Sequence, residues 1–278
     1  MRYPLKYTKP NLEDGIFDWT GEFTAPMKAF LDAHGFIRFR KFATADEIAT
    51  LRAELKRVET EWVAEEREFV NGIPVKYGED ENGQPMVNRF AFFSKFSPWM
   101  HEFLKDPRWE VVRRICGEDF RIGEHEKDGV VVNHYVNTEG SNYTKLGWHT
   151  DALRDIFYGK LVPEPMWNVG LSVTDSHAAQ GALRVIPGTH TQGLLPMLFG
   201  KKHFVSHDDD PREVMVETDA GDLTLHDGRL WHRVGLSPHV GEKSRRMSMY
   251  IPFLNGDVLE KNEDSKTPFY HRFSRAIR

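Results

Sequence analysis

The 278-residue sequence has a single cysteine, no long apolar run and no excess of positive charge. One cysteine, Cys116, cannot form an intrachain disulfide, which favours a reducing compartment and a cytoplasmic location. No stretch approaches the roughly 18 consecutive apolar residues of a membrane-spanning helix. The 42 acidic residues outnumber the 37 basic ones, giving a formal charge of −5, which argues against a nucleic-acid-binding protein. We therefore expect no nucleic-acid partner and no membrane span.

The composition does supply the material for a folded core. Hydrophobic residues make up 40% of the chain and aromatic residues 12%, which excludes a disordered protein. A chain of this length buries roughly 70–75% of its unfolded surface, so it needs neither a disulfide nor a metal merely to fold. Because the sequence contains no internal repeat and no long linker, we expect residues 1–278 to form one domain; the oligomeric state is not readable.

The N-terminal part, residues 1–117, is predicted to form a helical layer. A helical pattern over residues 25–33 ends at Gly35, and residues 36–39 alternate like a short strand. A Thr-x-x-Glu capping box begins at Thr44. The helix after it carries one apolar stripe, formed by Ile48, Leu51, Leu55, Val58 and Trp62.

A charged, glycine-containing segment follows this helix. Residues 66–85 show neither the helical nor the strand period, so we interpret them as a mobile loop. A lid over a binding site is a hypothesis drawn from that loop. Two shorter helices are predicted near residues 98–104 and 107–116.

Beyond residue 118 the pattern changes to short strands separated by Gly, Pro, Asp or Asn. The predicted strands are residues 120–122, 130–136, 169–173, 183–186, 214–217, 223–226 and 247–253. They do not alternate with helices, which argues against a parallel α/β sheet. Many short strands with turns favour a sandwich or barrel. The sequence therefore predicts a β core over residues 118–255, followed by a tail at residues 256–278.

The tripeptide His-x-Asp occurs twice, at residues 149–151 and 207–209. The second copy runs into further aspartate and proline, a composition that forms turns rather than strands. The first copy lies in a run that suits a strand, where His149 and Asp151 would point to the same face. Two such ligands and a distant histidine form the facial triad of non-haem Fe(II) oxygenases, which leaves coordination positions open.

The third ligand is sought among His226, His232 and His239. Residues 221–232 begin with Gly-Asp, contain an Asp-Gly turn and end at His232. A histidine just after such a turn can reach into the mouth of a barrel, so we favour His232. We interpret His226 as a core or rim histidine and His239, which follows a proline, as a loop residue.

The run Gly-Ala-Leu-Arg-Val-Ile-Pro-Gly-Thr-His at residues 181–190 resembles the signature of the phytanoyl-CoA dioxygenase-like family. The Trp-His-x-Asp at residues 148–151 precedes it, and the Gly-Asp strand leading to Leu-x-His at residues 221–232 follows it, in the family's order. The three motifs fall within residues 120–253. The resemblance implies a mainly β fold with flanking helices, built on a double-stranded β-helix (jelly-roll, cupin-like) core.

The resemblance also implies the chemistry. His149, Asp151 and His232 would hold Fe(II), where 2-oxoglutarate and O2 give succinate and carbon dioxide while a C–H bond of a small molecule is hydroxylated. In related halogenases a small residue replaces the carboxylate, so Asp151 favours hydroxylation. His190 is not a ligand in the family, and we interpret it as structural.

The family binds the distal carboxylate of 2-oxoglutarate through an arginine on a strand after the last histidine. The planar guanidinium pairs with a carboxylate through two hydrogen bonds. Strand alternation puts Arg246, Ser248 and Tyr250 on a polar face opposite a face of four apolar residues. Arg246 and Ser248 also resemble the Arg-x-Ser pair of the wider superfamily, so we favour them, with Arg245 as the open alternative.

Further residues are candidates for contacts to ligands. Asn133 and Tyr135 share a strand face and would contact the cosubstrate or substrate, or simply line the barrel. The substrate itself is not specified. We expect residues 66–93 and 154–166 to shape the mouth of the site. Candidate partners for an anionic substrate, each also readable as a solvated charge, are Lys95, Arg154, Lys160 and Arg184.

Two other function classes remain open. His149, Asp151 and His232 also suit Zn²⁺ in a cupin-like hydrolase or isomerase, since three ligands and an open position describe catalytic zinc. A non-catalytic jelly-roll binding module is the third interpretation, which predicts no tight metal site.

Overall fold

The structure of the protein, a computed structural model, describes residues 9–139, 146–153, 155 and 163–268. Within those residues the α-helices are α1 (Ala25–His34), α2 (Ala45–Ala64), α3 (Phe93–Phe96), α4 (Pro98–Phe103), α5 (Pro107–Cys116) and α6 (Leu194–Phe199). None of these helices combines the length and the apolar character that crossing a membrane requires. The fold is mainly β with helices.

The strands over the same residues form two sheets and one small hairpin. They are β1 (Ile16–Asp18), β2 (Phe36–Arg40), β3 (Phe69–Val70), β4 (Ile73–Pro74), β5 (Lys76–Glu79), β6 (Pro85–Phe90), β7 (Arg121–Ile122), β8 (Val131–Tyr135), β9 (Leu146–His149), β10 (Met166–Ser172), β11 (Leu183–Val185), β12 (Val214–Val216), β13 (Leu223–Asp227), β14 (His232–Val234) and β15 (Arg246–Leu254). The larger sheet has the order β1-β2-β13-β10-β15-β8-β6-β5, with β7 paired to β15. The smaller sheet has the order β12-β11-β14-β9, and β3 pairs with β4.

The chain moves back and forth between the two sheets from β8 onward. Strands β8, β10, β13 and β15 lie in the larger sheet, whereas β9, β11, β12 and β14 lie in the smaller one. Residues of both sheets line one cavity between them. This arrangement brings side chains that are distant in sequence to a common interior.

Helix α2 begins and packs as its sequence predicts. The backbone N–H of Glu47 donates to Thr44 Oγ1 at 3.2 Å, and the backbone N–H of Thr44 donates to Glu47 Oε2 at 2.8 Å, which confirms the capping box. Its apolar stripe packs against the outer face of the larger sheet in one hydrophobic core. The stripe comprises Ile48, Leu51, Leu55, Val58 and Trp62. Because α2 covers the outer face of the sheet, the inner face is left to form the site.

The N-terminal part contains more strands than the helical layer with one short strand that the sequence predicted. Strand β2, which confirms the strand predicted at residues 36–39, pairs with β13 and extends one edge of the larger sheet. Strands β5 and β6 extend the other edge, because β6 pairs with β8. The prediction of an irregular loop over residues 66–85 is therefore wrong. Val70 and Ile73 are fully buried there, and this packing decides the local structure over a charged composition.

The predicted C-terminal strands are confirmed to within a few residues at each end. The sequence missed helix α6. Part of the tail packs on the body of the protein, because Asn71 Nδ2 donates to the carbonyl of Lys261 at 3.2 Å. The tail beyond residue 268, with its basic residues from Arg272 onward, lies outside the described residues.

Candidate metal centre and arginine pocket

Two histidines face each other across adjacent strands of the smaller sheet. His149 ends β9 and His232 begins β14, and the two residues are direct cross-strand partners with ring centroids 4.0 Å apart. Each ring is fixed through Nδ1, which lies 2.8 Å from the carbonyl of Gly147 in one case and 3.0 Å from that of Leu230 in the other. An Nδ1–H donated to a backbone carbonyl leaves Nε2 as the nitrogen that can bind a metal.

Asp151 completes a group of three with these histidines. One ligand atom from each of His149, Asp151 and His232 lies within 4.8 Å of the others, and all three residues are buried. Asp151 is not on β9 with His149, as strand alternation had suggested, but just beyond its end. Its position is fixed instead by the following backbone, where the N–H of Ala152 donates to the carbonyl of Gly228 at 2.9 Å.

The electrostatics of this group suit a metal ligand set. Burial, followed by the neighbouring His149, holds the pKa of His232 well below its usual value, so its ring is neutral near pH 7. A neutral imidazole is the form that coordinates metals. Two imidazole nitrogens and one carboxylate oxygen fit a divalent first-row metal such as iron or zinc, with further coordination positions left for other ligands.

The larger sheet contributes two residues that the sequence reasoning missed or set aside. Asn168 on β10 donates from Nδ2 to Asp151 Oδ2 at 2.7 Å. His226 on β13, the cross-strand partner of Asn168, places Nε2 3.8 Å from the same carboxylate oxygen. A signal for Asn168 was present, because Asn168, Gly170 and Ser172 alternate with apolar residues and so mark the inner face of the strand.

Arg246 lies on the inner face of β15 with an incomplete set of partners. Its side chain is almost fully buried, and Nη1 donates to the carbonyl of Gly181 at 2.5 Å. The guanidinium carbon lies 4.3 Å from the centroid of the Tyr135 ring. Nε and Nη2 have no hydrogen-bond partner within the described part of the chain. A buried guanidinium with two unused N–H directions fits an anionic ligand such as a carboxylate.

A small pocket adjoins the Arg246 side chain. Its lining includes Gly170, Ser172, Thr224, Ser248 and Tyr250. Burial raises the pKa of Tyr250 to about 12, so its hydroxyl stays protonated near neutral pH. The pocket thus offers one guanidinium and several hydroxyl groups in a buried space.

The pocket and the metal group share two strands. On β10, Asn168 contacts Asp151 and Gly170, two residues on, lines the pocket. On β13, His226 and Thr224 are related in the same way. Two residues along a strand span about 6.6 Å, which is the scale of a five-carbon diacid. One elongated ligand could therefore contact both places.

Arg245 points away from this interior. Its Nε donates to Glu242 at 2.6 Å, its Nη2 donates to Glu81 at 3.1 Å, and its Nη1 lies 2.5 Å from Nε2 of His134. These partners account for its charge. The structure therefore puts Arg246, and not Arg245, on the side of the metal group.

Asn133 and Tyr135 lie beside the two predicted cosubstrate-binding residues. Each is a direct cross-strand partner on β8, Asn133 of Ser248 and Tyr135 of Arg246. Tyr135 contacts the guanidinium through its ring, so it at least shapes the pocket. For Asn133, both predicted roles, lining the barrel and binding a ligand, stay predictions.

The other histidines weighed in the sequence lie away from the metal group. His190 is buried, with Nε2 3.1 Å from the carbonyl of Asp32. His239 is exposed in a loop, and His207 lies in an irregular segment before β12.

Neither of the described cations proposed for an anionic substrate is free. Lys95 contacts Asn71 and forms an ion pair with Glu263. Arg184 donates to Glu213 at 2.7 Å. Arg154 and Lys160, the remaining two, lie outside the described residues.

Comparison with known proteins gives one consistent result. A family model described as phytanoyl-CoA dioxygenase (PhyH) matches residues 31–247. A phytanoyl-CoA dioxygenase domain-containing protein 1 homolog of Dictyostelium discoideum is 23% identical over 274 residues, covering 84% of this chain and 94% of that protein.

Solved structures share the fold at low sequence identity. The epimerase SnoN, in complex with Fe3+, alpha ketoglutarate and nogalamycin RO, superposes with a TM-score of 0.59 and 18% identity over 84% of this chain and 92% of that one. EctD from S. alaskensis with bound Fe superposes with a TM-score of 0.62 and 18% identity over 88% of this chain and 82% of that one. The fold seen here is therefore one on which iron-binding sites are built.

Proposed function

The chain belongs to the phytanoyl-CoA dioxygenase family, and on that premise we propose that it is a dioxygenase acting on a small molecule. It uses Fe(II), 2-oxoglutarate and O2 to hydroxylate a C–H bond, with release of succinate and carbon dioxide. The observation that carries this proposal is the pairing of a buried His–Asp–His group with a buried arginine. Nε and Nη2 of that arginine have no partner among the described residues. A metal site alone would suit many reactions, whereas a metal site with a carboxylate pocket suits a keto-acid cosubstrate.

His149, Asp151 and His232 are the proposed iron ligands. When bound, the iron supplies the redox chemistry that activates O2 and decarboxylates the keto acid. The protein's part is to hold the ligands in place: backbone carbonyls fix both Nδ1 atoms, and Asn168 fixes the carboxylate. Burial of all three ligands limits access of bulk water.

Arg246 and Ser248 are the proposed ligands of the distal carboxylate of 2-oxoglutarate. Nε and Nη2 of Arg246 would donate to the two carboxylate oxygens, since no residue in the described ranges occupies these two nitrogens. Ser248 lies in the same pocket and has a hydroxyl to add. Holding that end of the cosubstrate orients its keto-acid end toward the iron ligands.

We further propose that β8–β15 form a double-stranded β-helix within one domain of residues 1–278. These eight strands divide equally between the two sheets, which supports this interpretation. The cytoplasmic location stays our proposal and is based on the one cysteine, the buried Cys116.

The test is a turnover assay for the cosubstrate. We expect the protein to consume 2-oxoglutarate and O2 and to form succinate only after loading with Fe(II), and the His149→Ala variant to form none. Succinate from the Zn²⁺-loaded protein is not expected. If no iron-loaded sample forms succinate and Zn²⁺ binds tightly, the zinc-dependent hydrolase or isomerase replaces this proposal.

A further inference from the structure

His226 is a fourth histidine in the wall of the metal site. It lies on β13 and is almost fully buried. Its Nε2 is 3.8 Å from Asp151 Oδ2, and its ring centroid is 4.6 Å from that of His232. Among the residues that the structure describes, neither ring nitrogen has a hydrogen-bond partner.

An imidazole in this state is unusual. Every neutral tautomer carries one N–H donor and one acceptor, and buried polar groups nearly always have partners. The two histidines of the metal group obey this rule, because His149 and His232 each use Nδ1 on a backbone carbonyl. An apolar side chain would fill the space at His226 without leaving two polar atoms unpaired.

The neighbours of His226 do not satisfy it. Asp151 Oδ2 lies beyond hydrogen-bond distance and already accepts from Asn168. His226 is also outside the group of ligand atoms that lie within 4.8 Å of one another. It is therefore placed beside the metal ligands without being one of them. Its Nε2 lies 3.8 Å from a carboxylate oxygen that would hold the metal, and so near the place of a metal-bound ligand.

We propose that His226 is a positioning residue that donates from Nε2 to a metal-bound carboxylate, the keto-acid end of 2-oxoglutarate. This inference rests on the proposed function. His226 lies on the Asp151 side of the site, and Thr224 on the same strand face lines the Arg246 pocket. The two ends of one diacid would then be held by two residues, His226 at the reacting end and Arg246 at the distal end. The donor on β13 fixes the orientation of the keto acid before O2 binds.

The test measures metal and cosubstrate binding separately, under anaerobic conditions, on the full chain. Fe(II) affinity is measured first, and 2-oxoglutarate is then titrated while the charge-transfer absorption of the iron–keto-acid complex is followed. In His226→Phe, loss of a hydrogen bond to a charged group should raise the 2-oxoglutarate Kd roughly tenfold or more, with Fe(II) affinity changed less than about threefold. In His226→Gln, whose amide keeps a donor, part of the affinity should return, and the position of the absorption band should lie nearer to that of the parent protein.

His134→Gln is the matched control. His134 is also a buried histidine, but it contacts Arg245 and lies outside the metal site. Its replacement should leave both affinities unchanged. An unchanged 2-oxoglutarate Kd in His226→Phe overturns the inference. A collapse of Fe(II) affinity in both His226 variants overturns it as well, since His226 would then support or join the metal ligands.

A further measurement covers the case in which the variants fail to fold. In the parent protein loaded with diamagnetic Zn²⁺ and labelled with 15N-histidine, adding 2-oxoglutarate should slow exchange of one additional ring N–H with water. No such protection contradicts the inference. Absence of the absorption band in the parent protein contradicts the proposed function instead, so the two failures are distinguishable.

Discussion

Asn168 Nδ2 lies 2.7 Å from Asp151 Oδ2, so a strand of the larger sheet fixes the carboxylate that completes the metal group on the smaller sheet. The bond joins two residues 17 positions apart in sequence. It restricts rotation of the carboxylate and uses one of its lone pairs. Residues that orient metal ligands in this way affect metal affinity without touching the metal.

Replacing Asn168 by alanine should therefore weaken metal binding. We expect the Fe(II) affinity of Asn168→Ala to fall roughly 10- to 100-fold under anaerobic conditions, while the protein remains folded. Asn82→Ala, at an exposed turn, is the control and should bind iron as the parent does. Equal iron affinity in Asn168→Ala and the parent would show that the carboxylate does not need this partner.

Loss of a metal ligand should remove the stabilisation that the metal gives. A ligand that binds only the folded state raises the free energy of unfolding in proportion to the logarithm of its concentration over its Kd. Fe(II) should therefore raise the Tm of the parent protein but not that of His149→Ala or Asp151→Ala. His239→Ala changes an exposed histidine and should keep the full rise. If Fe(II) still raised the Tm of both His149→Ala and Asp151→Ala, the metal would have to bind at another place.

The two adjacent arginines should differ sharply in their effect on the cosubstrate. In Arg246→Ala a bound carboxylate would be left buried and unpaired, which costs about 2 kcal/mol or more and raises the 2-oxoglutarate Kd at least roughly 30-fold. Arg246→Lys keeps the charge but not the planar fork, so we expect an intermediate value. Arg245→Ala is the control, since its partners are Glu81, Glu242 and His134. A rise confined to Arg245→Ala would reverse the assignment.

Stability should fall in mild acid partly because of His134. Burial and then the charge of Arg245 lower its pKa from 6.5 to about 3 in the folded protein. Between those two pKa values the unfolded state binds more protons than the folded state. The contribution of His134 to the free energy of unfolding is therefore complete above pH 6.5 and is lost as the pH falls. At pH 5 the loss from this one group is about 2 kcal/mol.

The check is urea unfolding of metal-free protein at pH 7 and pH 5. His134→Gln keeps an acceptor for Arg245 but does not titrate. Between pH 7 and pH 5 its free energy of unfolding should therefore fall by about 2 kcal/mol less than that of the parent protein. Identical losses in both proteins would mean that His134 does not remain neutral in the folded state at pH 5.

Much of the fold is predictable from local patterns because those patterns have local causes. The capping box at Thr44 and the apolar stripe of α2 both act within one or two turns of helix, and the structure contains both. The alternation of β15 separates Arg246 from Met249 in the sequence just as it does in the sheet. Strands at the edges were harder, because β6 owes its structure to pairing with β8, and β5 to pairing with β6.

The site residues that belong to short sequence motifs could be predicted. The residues that only the fold brings together could not. The sequence brings His149 close to Asp151, and the turn at residues 227–228 points to His232. No pattern in the sequence between β10 and β13 predicts that Asn168 and His226 are cross-strand partners beside the same carboxylate. That contact depends on the register of two strands that are more than fifty residues apart, which no short motif encodes.

The most direct test of a shared iron and 2-oxoglutarate site is anaerobic titration of the metal-free protein with Fe(II) and then with 2-oxoglutarate, followed by visible absorption. We expect no band with iron alone and a weak metal-to-ligand charge-transfer band once the keto acid is added. We also expect the band to be lost in Asp151→Ala. A parent protein that binds Fe(II) but develops no band would contradict the claim that iron and 2-oxoglutarate share this site.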